Sequence, residues 1–154
     1  MEKRAKKEKY PSKYFPVNPQ KYVGDVNKIT LRSSWEKRFV LFLDYNPAVK
    51  QWNSEDIAIQ YFFEPDGKWH RYFPDFFMIS ENSQGELIKF LIEIKPLKDM
   101  EVKAPKRMTE KAKANMIKQV LTYEKNKAKW LAAEAWCKER DIIFKVVTET
   151  ELFS

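Results

Sequence analysis

The sequence predicts an α/β fold in which a central mixed sheet, an antiparallel meander plus a crossover strand, is flanked by helices. Three observations lead there. A capped apolar helix precedes a series of short strands separated by turn formers. A long helical region follows them. A β-branched segment, IIFKVV at 142–147, then closes the chain, so the helices must carry it back across the sheet. At 154 residues, with 44% hydrophobic and 15% aromatic content and three glycines, the chain is one globular domain with a core of its own.

Taken in order, residues 1–9 are a charged arm with no periodic apolar face, expected to be disordered alone. Residues 10–25 carry prolines at 11, 16 and 19 and four aromatics, and so read as an extended segment packed over a partner or over the domain itself. This gives a basic, Pro- and aromatic-rich arm over residues 1–25 and a single domain over 26–154. Ser33 opens the first helix, which runs to about Asp44. Glu36, three residues on, completes a capping box. At 100° per residue Glu36 also falls inside the sector of Trp35, Phe39 and Leu43, so it is a cap, a buried-face ligand, or both.

Asn46-Pro47 ends that helix, and Trp52-Asn53-Ser54-Glu55 reads as a connection. Residues 57–63 are a first strand, and Glu64-Pro65-Asp66-Gly67 turns the chain into the next. His70 and Arg71 stand before that strand, where DNA contact and a plain turn position explain them equally. Beyond Pro96, residues 109–140 are helical, with an interruption at 125–129 that suggests two helices and makes Asn126 the cap of the second. Gln119 and Tyr123 share one helix face; ordinary helix surface accounts for them as readily as a place beside a site. Trp130, Trp136 and Cys137 read as core.

The chemistry concentrates in one hairpin. An aromatic arm, YFPDFFMI at 72–79, and a β-branched arm, LIKFLIEIK at 87–95, flank a run of turn formers at 80–86. With the turn centred near Gln84, residues whose numbers sum to 168 face one another, which makes Asp75 and Glu93 a cross-strand pair about 5 Å apart. Lys95 shares the face of Glu93, about 7 Å further along the strand. Two opposed carboxylates repel unless one is protonated, a cation lies between them, or both stay in water. Lys95 supplies one positive charge, and a divalent ion would supply the rest. Oxygen ligands suit Mg²⁺ or Mn²⁺ and not zinc. The competing reading is a solvated edge with a surface Glu–Lys pair, but the flanking residues are almost wholly apolar.

Composition removes other chemistries. Cys137 is the one cysteine and His70 the one histidine, which excludes disulfides, thiolate zinc sites and histidine clusters within a chain. No apolar run approaches the ~20 residues of a membrane span, and the charged N-terminus has no signal-peptide core. Net charge is +7, unevenly spread. Residues 1–30 carry +5, 31–94 carry −3, 95–129 carry +7 and 130–154 carry −2. An acidic segment holding the paired carboxylates, flanked by basic ones, suits a polyanion held by its phosphates; ordinary solvated lysines are the alternative.

Pro74-Asp75 with Glu93-Ile94-Lys95 is the motif of the PD-(D/E)xK nuclease superfamily. The wider set ITLRSSWE at 29–36, WNSE at 52–55, RYFPDF at 71–76, IEIKP at 92–96, and Asn126 with Trp130 resembles the head completion nucleases of contractile-tailed bacteriophages. It is similar, more distantly, to transposon end-cleaving endonucleases. The resemblance spans about residues 20–150 and implies a restriction-endonuclease-like fold and a Mg²⁺- or Mn²⁺-dependent DNA endonuclease. That enzyme would act in head completion after DNA packaging, in the host cytoplasm during assembly or at the head–tail joint, with portal or neck proteins as further partners. Asp75, Glu93 and the Ile94 carbonyl would hold the metal, Lys95 would orient water or steady the phosphate, and Glu36 would add a ligand. Gln119, Tyr123 and Glu55 are auxiliary candidates. A non-catalytic neck protein that binds DNA and a transposon- or repair-type endonuclease remain as alternatives.

Overall fold

A computed structural model describes residues 9–154, so residues 1–8 of the charged arm lie outside the described residues. In chain order the strands and α-helices are β1 (Ser12–Lys13), β2 (Thr30–Leu31), α1 (Ser34–Tyr45), β3 (Val49–Ser54), β4 (Ile59–Phe63), β5 (Lys68–Tyr72), β6 (Phe76–Glu81), β7 (Leu87–Ile94), α2 (Glu110–Glu139), β8 (Ile143–Val147) and α3 (Glu149–Leu152). The central sheet runs β3-β6-β7-β8. Its first three strands are antiparallel, and β8 joins β7 in parallel after the α2 crossover. This is the mixed sheet with flanking helices that the sequence predicts.

Consecutive residues Leu91 and Ile92 of β7 are each only 1% exposed. They point to opposite faces of the sheet and enter different cores, which is why this strand reads as a continuous apolar run. Ile92 joins Trp52, Phe76, Val40 and Leu43 beneath α1. Leu91 joins Ile59, Tyr61, Tyr72, Ala133 and Cys137 beneath α2 and the β4–β5 ribbon. Burying each of these larger side chains contributes about 1.5–3 kcal/mol.

Readings of three strand segments differ from the structure. Residues 52–55, read as a connection, belong largely to β3, which pairs with β6. A register shift between Val49 and Gln51 breaks the alternation that would have marked the strand. The strand expected at 57–63 pairs with β5 in a separate two-stranded ribbon rather than within the central sheet. Pro74, which is fully buried, separates β5 from β6, so the arm 72–79 is not one strand.

The region 109–140 is one helix of 30 residues, about 45 Å long. Asn126 is buried inside it and caps nothing. The polar interruption does not break the helix, since Lys125-Asn126-Lys127-Ala128-Lys129 holds no Gly or Pro and Lys and Ala are strong helix formers, and two of the lysines also lie over rings. Lys125 Nζ is 5.9 Å from the Phe63 ring centre, and Lys129 Nζ is 5.5 Å from that of Tyr72.

The extended segment at 10–25 packs on its own domain. Tyr14 Oη donates to Asp44 Oδ2 at 2.5 Å, while the backbone N–H groups of Val17 and Asn18 donate to the same carboxylate at 2.8 and 2.9 Å. Lys21 Nζ donates to the carbonyls of Asp44 and Asn46, both at 2.9 Å, and ties the segment to the end of α1.

Candidate active site

The hairpin register is the expected one: Phe76 faces Ile92 and Phe77 faces Leu91. Asp75 precedes β6 opposite Glu93, and two strands hold it. Its carboxylate Oδ2 accepts from Ile94 N–H at 2.7 Å. Its carbonyl accepts from Glu55 N–H at 3.0 Å. That second bond brings Glu55, at the end of β3, to the site. Glu55 has φ of 52°, a left-handed conformation uncommon outside glycine.

Glu36, Glu55 and Asp75 each place a carboxylate oxygen within 4.8 Å of the others. Glu36, only 7% exposed, also acts as a cap: its N–H donates to Ser33 Oγ at 3.2 Å, and its Oε2 accepts from Ser33 Oγ at 3.2 Å and Arg32 N–H at 3.1 Å. Cap and cluster member are thus the same residue. Arg32 forks onto Glu55 through Nε at 2.8 Å and a terminal nitrogen at 3.1 Å.

Glu93 lies outside that trio although it stands beside Asp75. Its Oε2 accepts from Tyr72 Oη at 2.6 Å, and the Trp130 side chain lies next to that hydroxyl. Lys95 and Lys129 flank Glu93 and favour its charged form. Gln119 lines a separate cleft with Lys98, Asp99 and Lys103, and Tyr123 lies 5.7 Å below Lys127 Nζ. Neither enters the carboxylate cluster.

Electrostatics mark the centre as short of positive charge. Burial, reinforced by Glu93, pushes the Asp75 carboxyl well above its usual range. Burial also raises Glu93, against the opposing Tyr72 hydrogen bond, and raises Glu36 against its Ser33 and Arg32 donors. Burial lowers the pKa of Lys129, which works against its cationic form.

Lys129 and Tyr72 do not stand out as site residues in the sequence, and Trp130, which reads there as core, lies beside the site through Tyr72. One signal was available: Asn126, Trp130, Ala133 and Cys137 follow helical spacing, and Lys129 adjoins that stripe. Glu55 was reachable only as an auxiliary candidate, because its position depends on the end of a strand that did not read as one.

A model for TnsA-like endonuclease N-terminal domains matches residues 46–149. That span contains Glu55, Asp75, Glu93, Lys95 and Lys129. The chain is also 41% identical, over 144 residues, to the head completion nuclease of Enterobacteria phage T4, with 93% of each chain covered. The chain belongs to the TnsA-like endonucleases and, among them, to the head completion nucleases. No solved structure matches it. Membership agrees with the mixed sheet and with the carboxylate cluster at its edge. Among the described residues no helix is long and apolar enough to cross a membrane.

Proposed function

We propose that this protein is a Mg²⁺- or Mn²⁺-dependent DNA endonuclease acting in phage head completion after packaging. The observation that carries the reading is the convergence of Glu36, Glu55 and Asp75 within 4.8 Å, beside Glu93, on a family of endonucleases. The donor set fits a hard cation: oxygen ligands alone, partly or fully buried, with a carboxyl of raised pKa at the centre. Asp75, Glu36 and Glu55 would hold the ion, with Glu93 as the ligand on the neighbouring strand. A bound divalent ion supplies charge neutralisation at the scissile phosphate and a lowered pKa for water.

The remaining work falls to the chain. Ile94 N–H fixes one Asp75 oxygen, and Tyr72 Oη fixes one Glu93 oxygen, so neither carboxylate can swing freely. Lys95 and Lys129 stand as two cations beside Glu93, placed to meet the phosphate oxygens as negative charge builds on them. In the hydrolysis, water oxygen bonds to phosphorus, one P–O bond to a sugar breaks, and the departing oxygen takes up a proton. A phosphate monoester and a free hydroxyl result. The basic stretch 95–129 would hold flanking phosphates. Portal or neck proteins are the further partners of this reading, at the head–tail joint.

The test is cleavage of several DNA structures by purified protein with Mg²⁺, Mn²⁺, Zn²⁺ or excess chelator. Cleavage with the first two alone is expected. Cleavage in excess chelator would sink the metal assignment.

A further inference from the structure

The β4–β5 ribbon leads straight into the candidate active site. Tyr72, its last residue, bonds to Glu93, and Asp75 follows three positions later. The ribbon has two unlike faces, as alternation requires. Ile59, Tyr61 and Tyr72 point inward to the core beneath α2. Phe62, Trp69 and Arg71 point outward, and Gln60 faces Arg71 across the pair. The outward row holds no acid.

That row carries two large, exposed aromatic rings in contact. Trp69 is 69% exposed, and Phe62 beside it is 43% exposed, their ring centres 5.5 Å apart and tilted by 56°. Phe73, just past the end of β5, is 47% exposed and lies two residues before Asp75. Trp69 and Arg71 therefore form an aromatic–cation pair on the outward face of β5, and the exposed Phe73 lies in the chain between that pair and Asp75. Phe62 and Trp69 also border a cleft of about 1240 Å³ between the ribbon and α2, with Lys127 and Leu131 across from them. Glu64, Glu124 and Glu139 border the same cleft, so phosphates are favoured on the Arg71 side and bases on the Trp69 side.

We infer that this face is a stacking platform for unpaired nucleotides next to the scissile phosphate, which would make the enzyme select DNA with a single-stranded segment. Every base has a π-face, so an exposed indole beside a guanidinium binds single strands with little regard to sequence. Spacing supports the choice over duplex. Alternate residues of a strand stand about 6.6 Å apart, whereas stacked bases rise about 3.4 Å along each strand of B-DNA. A row at the wider spacing suits an unstacked, drawn-out chain. The inference rests on the endonuclease reading for its location, but binding can be measured without cleavage.

The experiment is fluorescence anisotropy of the full chain in excess EDTA at fixed ionic strength. Three probes are used: a single-stranded oligonucleotide, a blunt duplex, and the same duplex with a single-stranded tail. The wild-type protein should bind tailed above blunt DNA. Trp69→Ala should weaken tailed and single-stranded binding about tenfold while leaving the blunt duplex within about twofold. Trp69→Phe should restore most of the loss, and Arg71→Gln should weaken the same probes. Equal wild-type binding of tailed and blunt DNA overturns the platform, as does a Trp69→Ala change that lowers both alike or neither. An apolar surface for a protein partner would give that last result. Protein that discriminates tails in EDTA yet cuts nothing with Mg²⁺ retires the endonuclease reading and keeps the platform. Protein that cuts without discriminating does the reverse.

Discussion

The Asp75 carboxylate accepts the backbone N–H of Ile94 at 2.7 Å, just beyond the last pair of the β6–β7 ladder. A side chain thus continues the pairing where the backbone of β6 begins, and the residue that closes the sheet is also the residue at the centre of the carboxylate cluster. Sheet geometry and site geometry are one constraint. A change at Asp75 should therefore be read with both in mind.

Asp75→Asn keeps an oxygen for Ile94 and removes the negative charge. It should abolish cleavage and raise the Tm of the metal-free protein at neutral pH by a few degrees, because a buried charge beside Glu93 is removed. Thermal denaturation in EDTA alongside a cleavage assay checks both. A fall in Tm would mean that the burden of charge assigned to this site is wrong.

The pH dependence of metal-free stability follows from the same groups. Burial raises Asp75, Glu93 and Glu36 above their unfolded values, so the native state holds their protons more tightly. Their contribution is complete below the ordinary carboxylate range and is lost as pH rises through the folded pKa values. Asp44 opposes them. Burial alone would raise it, but the Tyr14, Val17 and Asn18 donors outweigh burial and lower it. Its contribution is present above the ordinary range and lost in stronger acid. Metal-free Tm should therefore pass a maximum in mild acid, and Mg²⁺ should raise Tm more at pH 8 than at pH 5.5, since ligands must be deprotonated. Melting curves across pH with and without Mg²⁺ measure this; a Mg²⁺ shift larger at pH 5.5 would contradict it.

Tyr72→Phe removes the hydroxyl that donates to Glu93 and leaves the ring beneath Lys129. That hydrogen bond lowers the Glu93 pKa, so its loss should raise it. Cleavage should fall about tenfold at neutral pH, and the acid limb of the pH–rate profile should move to higher pH. An unmoved acid limb would separate Glu93 from the rate.

Lys129→Met keeps an apolar stem over Tyr72 and removes the ammonium. The folded protein should retain its Tm within a few degrees and lose cleavage about a hundredfold, as Lys95→Ala should. DNA affinity should drop only slightly for either, because each is one cation among many on the basic stretch. Unchanged cleavage in Lys129→Met would confine that residue to packing.

How far the sequence could be read depended on whether local pattern or tertiary context decided each element. Ser33 and the phase of Glu36 located α1 and its buried acid, because a cap and a helical face are local properties. The Asp75–Glu93 register was legible for the same reason: a turn centre and two apolar arms determine it. β3 was not legible, since its bulge disrupts alternation and its Trp52 is buried by residues distant in sequence, among them Tyr14 and Phe76. The unbroken α2 was hidden because Lys125 and Lys129 look like a polar gap until the rings of Phe63 and Tyr72 are brought beneath them. Glu55 depended on both, a hidden strand and a left-handed residue at its end.

Lys129 reaches the site from the same helix whose Ala133 and Cys137 sit in the core with β4 and β7. The α2 helix therefore behaves as a keyed shaft: its angular setting is locked at Ala133 and Cys137 and read out about one turn away, at Lys129. Each residue turns it by 100°. One alanine inserted between Lys129 and Ala133 would swing the ammonium about a quarter-turn out of the site while the core residues stayed seated. The same insertion ahead of Lys125 would instead rotate only the outer, solvent-facing half and leave the key engaged. Position along one continuous rod, and not distance from the carboxylates in the chain, decides which insertions the catalytic centre can feel.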